Sequence, residues 1–171
     1  DILIGGCLYS EYRTDDARLT IETMKTAVSK GAVAANYLEV TDFIYKANGY
    51  VGGATVKDHI SGKSFNIKSR RVVNAAGPWV DNVRAKDKEG VMGKRLHLTK
   101  GVHIVVPFSK LPIRQSVYFD VEKDNRMCFA IPRGNITYIG TTDTFYDKNI
   151  DQPVASREDV AYILDAINYM F

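Results

Sequence analysis

The sequence predicts a mixed α+β protein with a substantial antiparallel sheet, and three observations carry that expectation. Helical, amphipathic patterns stand near both ends, at 14–31 and 156–171. Between them runs a succession of short, strand-like apolar stretches punctuated by Asn-Gly, Ser-Gly and Arg-Gly-Asn turn signals. The composition, 45% hydrophobic and 25% charged over 171 residues, is that of an ordinary globular chain. Such a length can bury a sizeable core as one domain or as parts of two.

The elements follow in order. Residues 2–12, "ILIGGCLYSEY", read as a strand or loop broken at Gly5-Gly6. "TDDARLTIETMKTAVSKG" is a helix that Thr14 or Asp15 can cap, with acidic residues in its first turn and Gly31 at its end. Ala17, Ile21, Met24 and Val28 recur at helical spacing and predict one buried face. A strand through "AVAANYLEVTDFIY" turns at Asn48-Gly49. Two further strands flank Ser61-Gly62-Lys63, the second running to Ala76, and Pro78-Trp79 lead into a short helical or irregular piece. Residues 84–95, charged and poor in apolar side chains, suit a loop or a crossing between domains. Short strands follow in "LHLTKGVHIVVP", "SVYFDV", "MCFAIP" and "ITYIGTTD", the last two joined by a hairpin turn at Arg133-Gly134-Asn135. Ser156 with Asp159 forms a capping box for a final helix lined by Val160, Ile163, Leu164 and Ile167.

Several function classes recede at this point. The net charge of +3 suits an anionic small molecule or a membrane surface. Basic residues are not interleaved with aromatic ones in a stripe, so nucleic acid is not an expected partner. Cys7 and Cys128 are far apart and read as buried, reduced thiols of a cytosolic protein. No apolar run approaches the ~20 residues of a membrane span, and no secretory leader is recognisable. The chain opens without methionine and stops inside a helix at "INYMF", which reads as a piece of a longer protein.

Candidate chemistry is sparse. No phosphate-binding loop, G-x-G-x-x-G or G-x-S-x-G occurs. Of the three histidines, His59 beside a hairpin turn reads as exposed and structural. His97 and His103 would lie roughly 20 Å apart on an extended chain, so no zinc site is expected unless the chain folds back at Gly101. Alternation puts Val102, Ile104 and Val106 on one face and His103 with Val105 on the other. His103 is then either a satisfied core or surface residue, or one that points into a site. Asp15-Asp16 fit helix capping, "IGTTDT" fits turn chemistry or a ligand-facing strand end, and Trp79 fits the core. The strand ending in "NAAGPW" stops on small residues, which permits close approach of a ligand to the backbone.

Taken together, "YSEYRTDDARL", "VVNAAGPWVD", "TKGVHIVVP" and "RMCFAIPRGNITYIGTTDT" resemble, in this order, the FAD-dependent glycerol-3-phosphate dehydrogenases and related glycerophosphate oxidases. "NAAGPW" alone is shared by many two-domain flavin oxidases. The pairing of "KGVHIVVP" with "FAIP" and "GTTDT" is more specific, and another flavin amine or hydroxy-acid oxidase should lack it.

The resemblance implies part of a Rossmann-like FAD-binding domain at 13–90. It implies part of a substrate domain with a mixed or antiparallel sheet at 1–12 and 93–171. Val40, Ala76, Gly77 and Trp79 are the implied FAD-proximal residues. His103 is the implied base for oxidation of sn-glycerol 3-phosphate to dihydroxyacetone phosphate, with Lys100 and Thr142 as further substrate-site residues and no metal. Quinone is the implied electron acceptor, with dioxygen as the oxidase alternative. A cytoplasmic protein at the inner face of the membrane is expected, and an exposed sheet edge makes a homodimer one expected outcome. The segment alone is expected to turn nothing over.

Overall fold

A computed structural model describes residues 5–88, 93 and 96–171. The chain divides into two units, one up to Val72 and one from Val73 to Phe171. Half of the expected loop or domain crossing at 84–95 lies outside the described residues.

In the first unit, α1 (Asp16–Ser29) is capped by Asp15, whose carboxylate accepts the Arg18 N–H at 3.1 Å. Gly31, at φ +92°, follows the last turn. The face Ala17, Ile21, Met24 and Val28 is exposed, contrary to the helical pattern, because the described residues lay no second layer across it. β1 (Leu38–Tyr45), β2 (Val51–Asp58) and β3 (Ser64–Lys68) form an antiparallel sheet in that order. β1 starts later than the apolar run suggested, since Tyr37 takes a positive φ of 57° that ends extended geometry. Asp58 fixes the β2–β3 turn by accepting the Ile60 N–H at 2.8 Å and the Ser61 hydroxyl at 2.6 Å. The Ser61 hydrogen bond, first among its causes, holds the Asp58 carboxyl below its ordinary pKa. β3 stops at Lys68 instead of reaching Ala76: its last ladder pair is Gly53↔Lys68, the Ser69 N–H still donates to the Gly52 carbonyl at 2.8 Å, and β2, which begins at Val51, is too short to pair a strand running on to Ala76.

In the second unit, a 3-10 turn (Gly77–Trp79) runs into the short α2 (Val80–Arg84). β4 (Thr99–Lys100) pairs with β9 (Thr144–Phe145). β5 (His103–Pro107), β6 (Val117–Asp120), β7 (Met127–Arg133) and β8 (Ile136–Gly140) form an antiparallel sheet in the order β5-β8-β7-β6. The Gly134-Asn135 turn joins β7 to β8, as the sequence predicts. α3 (Arg157–Met170) covers one face of this sheet. Val102, Phe119, Val121, Cys128, Ala130 and Ile139 meet Ile163, Ala166 and Ile167 there. Leu164, expected in that stripe, is exposed, and Ala166 packs in its place. Burial pushes the Cys128 thiol pKa up, whereas Cys7 is exposed and departs from the buried-thiol expectation.

The capping box of α3 is present in full: the Asp159 N–H donates to Ser156 Oγ at 3.2 Å and the Ser156 N–H to the Asp159 carboxylate at 2.7 Å. Ser156→Ala is expected to cost about 1 kcal/mol and Ser156→Gly only a few tenths. Urea unfolding of the full-length protein reads that ranking, and equal costs would mean the cap hydroxyl contributes nothing.

Candidate active site

The face of the β5–β8 sheet turned away from α3 carries the side chains with chemistry. Strand alternation groups His103 with Val105 as the sequence predicts, and the structure settles what the sequence left open: Val102 enters the core and His103 and Val105 are exposed. His103 pairs across the ladder with Gly140, and Gly140 pairs on its other side with Phe129. The His103 ring lies 5.3 Å from the Phe129 ring, and Tyr138 meets it edge-on at 5.9 Å. Tyr118 continues the row at 6.0 Å from Phe129. An imidazole therefore stands open to solvent on one side and is held by aromatic rings on the other.

Lys100 and Thr142 sit at the crossing between β4–β9 and the larger sheet. The buried Thr142 hydroxyl accepts the Val102 N–H at 3.0 Å and donates to the Lys100 carbonyl at 3.3 Å. It thereby ties the bend that separates Lys100 from His103. The Lys100 ammonium turns inward, toward the start of α3. It donates to the Asp159 carboxylate and, at 2.9 Å, to the Val154 carbonyl, with the side chain only 12% exposed. Burial pulls the Asp159 pKa up, but the Lys100 ammonium and the Ser156 N–H outweigh it and hold the carboxyl below its usual range.

Beside this crossing is a groove of ≈ 530 Å³ whose walls include Arg126, Asp143, Tyr146, Lys148 and Tyr162. Arg126 donates to the Asp143 carbonyl at 2.8 Å and lies 3.6 Å from the Asp124 carboxylate. Burial and the Asp124 carboxylate push the Tyr162 phenol up to about 12.

Ala76 and Gly77 form a separate turn. The Asn74 side chain fixes it by donating to the Val80 carbonyl at 2.9 Å and accepting the Ala76 N–H at 3.3 Å. Gly77 has φ +54°, a conformation that favours glycine, and nothing lies within 4 Å of where its Cβ would stand. That open backbone leaves room for the close approach of a flavin nucleotide. Trp79 is 40% exposed and not core, since its indole N–H leaves the interior to meet Asp151 at 3.1 Å. Val40 lies in the first unit, half-buried on β1 opposite Val56. His59 is exposed, as expected, and meets Glu39 at 2.8 Å. The chain does bend at Gly101, yet His97 stacks on Phe145 at 4.9 Å, and no metal-holding cluster occurs among the described residues.

The sequence model for the FAD dependent oxidoreductases matches residues 1–171. The chain belongs to that family. Within it, the aerobic glycerol-3-phosphate dehydrogenase of Staphylococcus haemolyticus (strain JCSC1435) is 56% identical over 171 residues, all of this chain and 30% of the relative. That of Staphylococcus aureus (strain MRSA252) is 55% identical over 169 residues, 99% of this chain and 30% of the relative. The X-ray structure of the glycerol-3-phosphate dehydrogenase from Bacillus halodurans complexed with FAD matches with a TM-score of 0.87 and 58% identity, covering 95% of this chain and 32% of that one. The chain thus spans 30% of the length of these curated relatives. The expected resemblance and the mixed α+β fold of an FAD-dependent oxidoreductase both stand.

Site residues that sequence reasoning missed are Gly140, Phe129 and Tyr138 around His103, and Asp159 as the partner of Lys100. Their signals were present: alternation through "MCFAIP" and "ITYIG" puts Phe129, Tyr138 and Gly140 opposite the core residues Cys128, Ala130 and Ile139.

Proposed function

We propose that this chain carries part of the flavin site and part of the substrate site of an enzyme that oxidises sn-glycerol 3-phosphate to dihydroxyacetone phosphate. The observation that carries the reading is the His103 imidazole, held on an open sheet face in a chain similar throughout to glycerol-3-phosphate dehydrogenases. The chemistry that bound FAD supplies is acceptance of the two electrons leaving C2 as hydride.

The chain's own residues then have distinct parts. His103 takes the proton of the C2 hydroxyl at an imidazole nitrogen, work that imidazole does readily near neutral pH. Lys100 and Thr142 build the wall beside it, Thr142 through the bend that it ties and Lys100 through the segment leading to His103. Ala76, Gly77 and Trp79 approach the cofactor along the open turn, and Val40 meets its adenine side. Residues 13–90 contribute to the FAD domain, and 1–12 with 93–171 to the substrate domain.

Electrons pass on to quinone at the inner face of the membrane, with the protein as a cytoplasmic, peripheral and homodimeric flavoenzyme. No helix among the described residues is long and apolar enough to cross a membrane. Anaerobic mixing of the full-length protein with sn-glycerol 3-phosphate should bleach the oxidised flavin bands. A flavin that stays oxidised would refute the substrate. Rapid recovery on admitting air would make the enzyme an oxidase, and recovery only with a quinone a dehydrogenase.

A further inference from the structure

Gly140 is the last residue of β8, an inner strand, and is paired on both sides, where glycine costs conformational entropy and contributes no packing. Its backbone needs no positive φ, so the reason for glycine there is space. A Cβ built on Gly140 would stand 2.1 Å from His103 Cδ2 and 2.9 Å from its Nε2. Both distances are far inside contact, and the colliding group is a ring on a short stem, not the end of a long side chain.

The ladder explains the collision. His103 on β5 and Phe129 on β7 flank Gly140 on β8, two strands apart. Neighbouring strands are about 4.8 Å apart, so rings rising perpendicular from β5 and β7 would be separated by roughly 10 Å. Their centroids are instead 5.3 Å apart. The gap is closed by leaning over the place where a side chain of β8 would stand. Tyr138, two residues before Gly140 on the same face, borders that place and meets the imidazole edge-on.

We propose that Gly140 is a positioning residue for the His103 imidazole: its missing side chain is the seat across which the ring lies against Phe129. The inference rests on the reading of His103 as the substrate base. A ring denied this seat must turn toward Val105 or away from the sheet, and either movement carries its nitrogens by more than the ångström that proton transfer tolerates.

The test is made in the full-length flavoprotein with Gly140→Ala, His103→Ala and the double variant, measuring FAD content, KM for sn-glycerol 3-phosphate and the anaerobic rate of flavin reduction. Gly140→Ala is expected to slow reduction roughly 100-fold, with FAD content and KM nearly unchanged, and to cost nothing further on top of His103→Ala. A slowing of equal size in both backgrounds would show that Gly140 acts independently of His103 and overturn the inference. So would a wild-type rate in Gly140→Ala alongside a slow His103→Ala.

If His103→Ala itself reduces at the wild-type rate, the reading of the base falls. A crystal structure of Gly140→Ala then decides the seat: a ring still against Phe129 overturns it, and a displaced ring upholds it. Should Gly140→Ala fail to fold, Phe129→Leu removes the other half of the seat without adding an atom over β8. It should give the same pattern with a smaller factor, and a loss additive with His103→Ala would overturn the inference.

Discussion

His103→Ala in the full-length flavoprotein should slow flavin reduction by sn-glycerol 3-phosphate by about 10²- to 10⁴-fold, the range that a positioned general base contributes. The residue's surroundings make this a clean experiment. The side chain stands on the face opposite the core, and the β5 ladder to β8 is made by backbone groups that alanine retains. The lost contacts are those with Phe129 and Tyr138. Losing those ring contacts is expected to cost about 0.5–1.5 kcal/mol, small beside the stability of the whole fold. FAD content and the unfolding midpoint should therefore stay near wild type while the rate falls. Removal of the ring leaves an open place against the Phe129–Tyr138 pair, whose own rings stay in contact, so added imidazole should restore part of the rate. An unchanged rate of reduction would remove His103 from the mechanism. A slow variant that has also lost FAD would assign the histidine to the fold instead.

How far the sequence led is visible in particular residues. The hairpin at Gly134-Asn135, the α3 capping box and the shared face of His103 and Val105 each depend on local rules of turn geometry, capping or alternation, and each stands in the structure. What failed depends on which element covers which. Ile21, Met24 and Val28 have the spacing of a buried stripe, but spacing does not supply the layer that would bury them. β3 ends within two residues of the start of β2, a limit set by the partner strand and not by the apolar run reaching Ala76. The site shows the same division. His103 was legible as a residue, but its seat was not, because Phe129 reaches it from a strand two places away in the sheet. Lys100 read as a substrate-site residue because Asp159 is 59 residues further on, where its role in capping already accounted for it.

That pair gives the largest expected loss of stability. Asp159 is 3% exposed at the start of α3, and the Lys100 side chain enters from β4 with its ammonium on the carboxylate. Lys100→Met keeps most of the stem and removes the charge, leaving a buried carboxylate held by the Ser156 N–H and, more loosely, by the Thr144 hydroxyl at 3.5 Å. Breaking a buried ion pair from one side costs about 3–5 kcal/mol, because the remaining charge has no substitute for water.

The pH dependence separates this cause from lost packing. In the wild type the Asp159 pKa is lowered in the fold, so its contribution is full above the ordinary value of 3.8 and is lost as pH falls below it. Without the ammonium, the burial that already opposes ionisation should raise the folded pKa above the unfolded one. The variant's penalty is then greatest at neutral pH and shrinks on acidification, as the stranded carboxylate takes up a proton. Adding Asp159→Asn to Lys100→Met should recover part of the loss at pH 7, since the buried group is then neutral. Chemical unfolding at pH 7 and near pH 4 measures both effects. A deficit that is the same at the two pH values and insensitive to Asp159→Asn would place the role of Lys100 in its methylene stem and not in its charge.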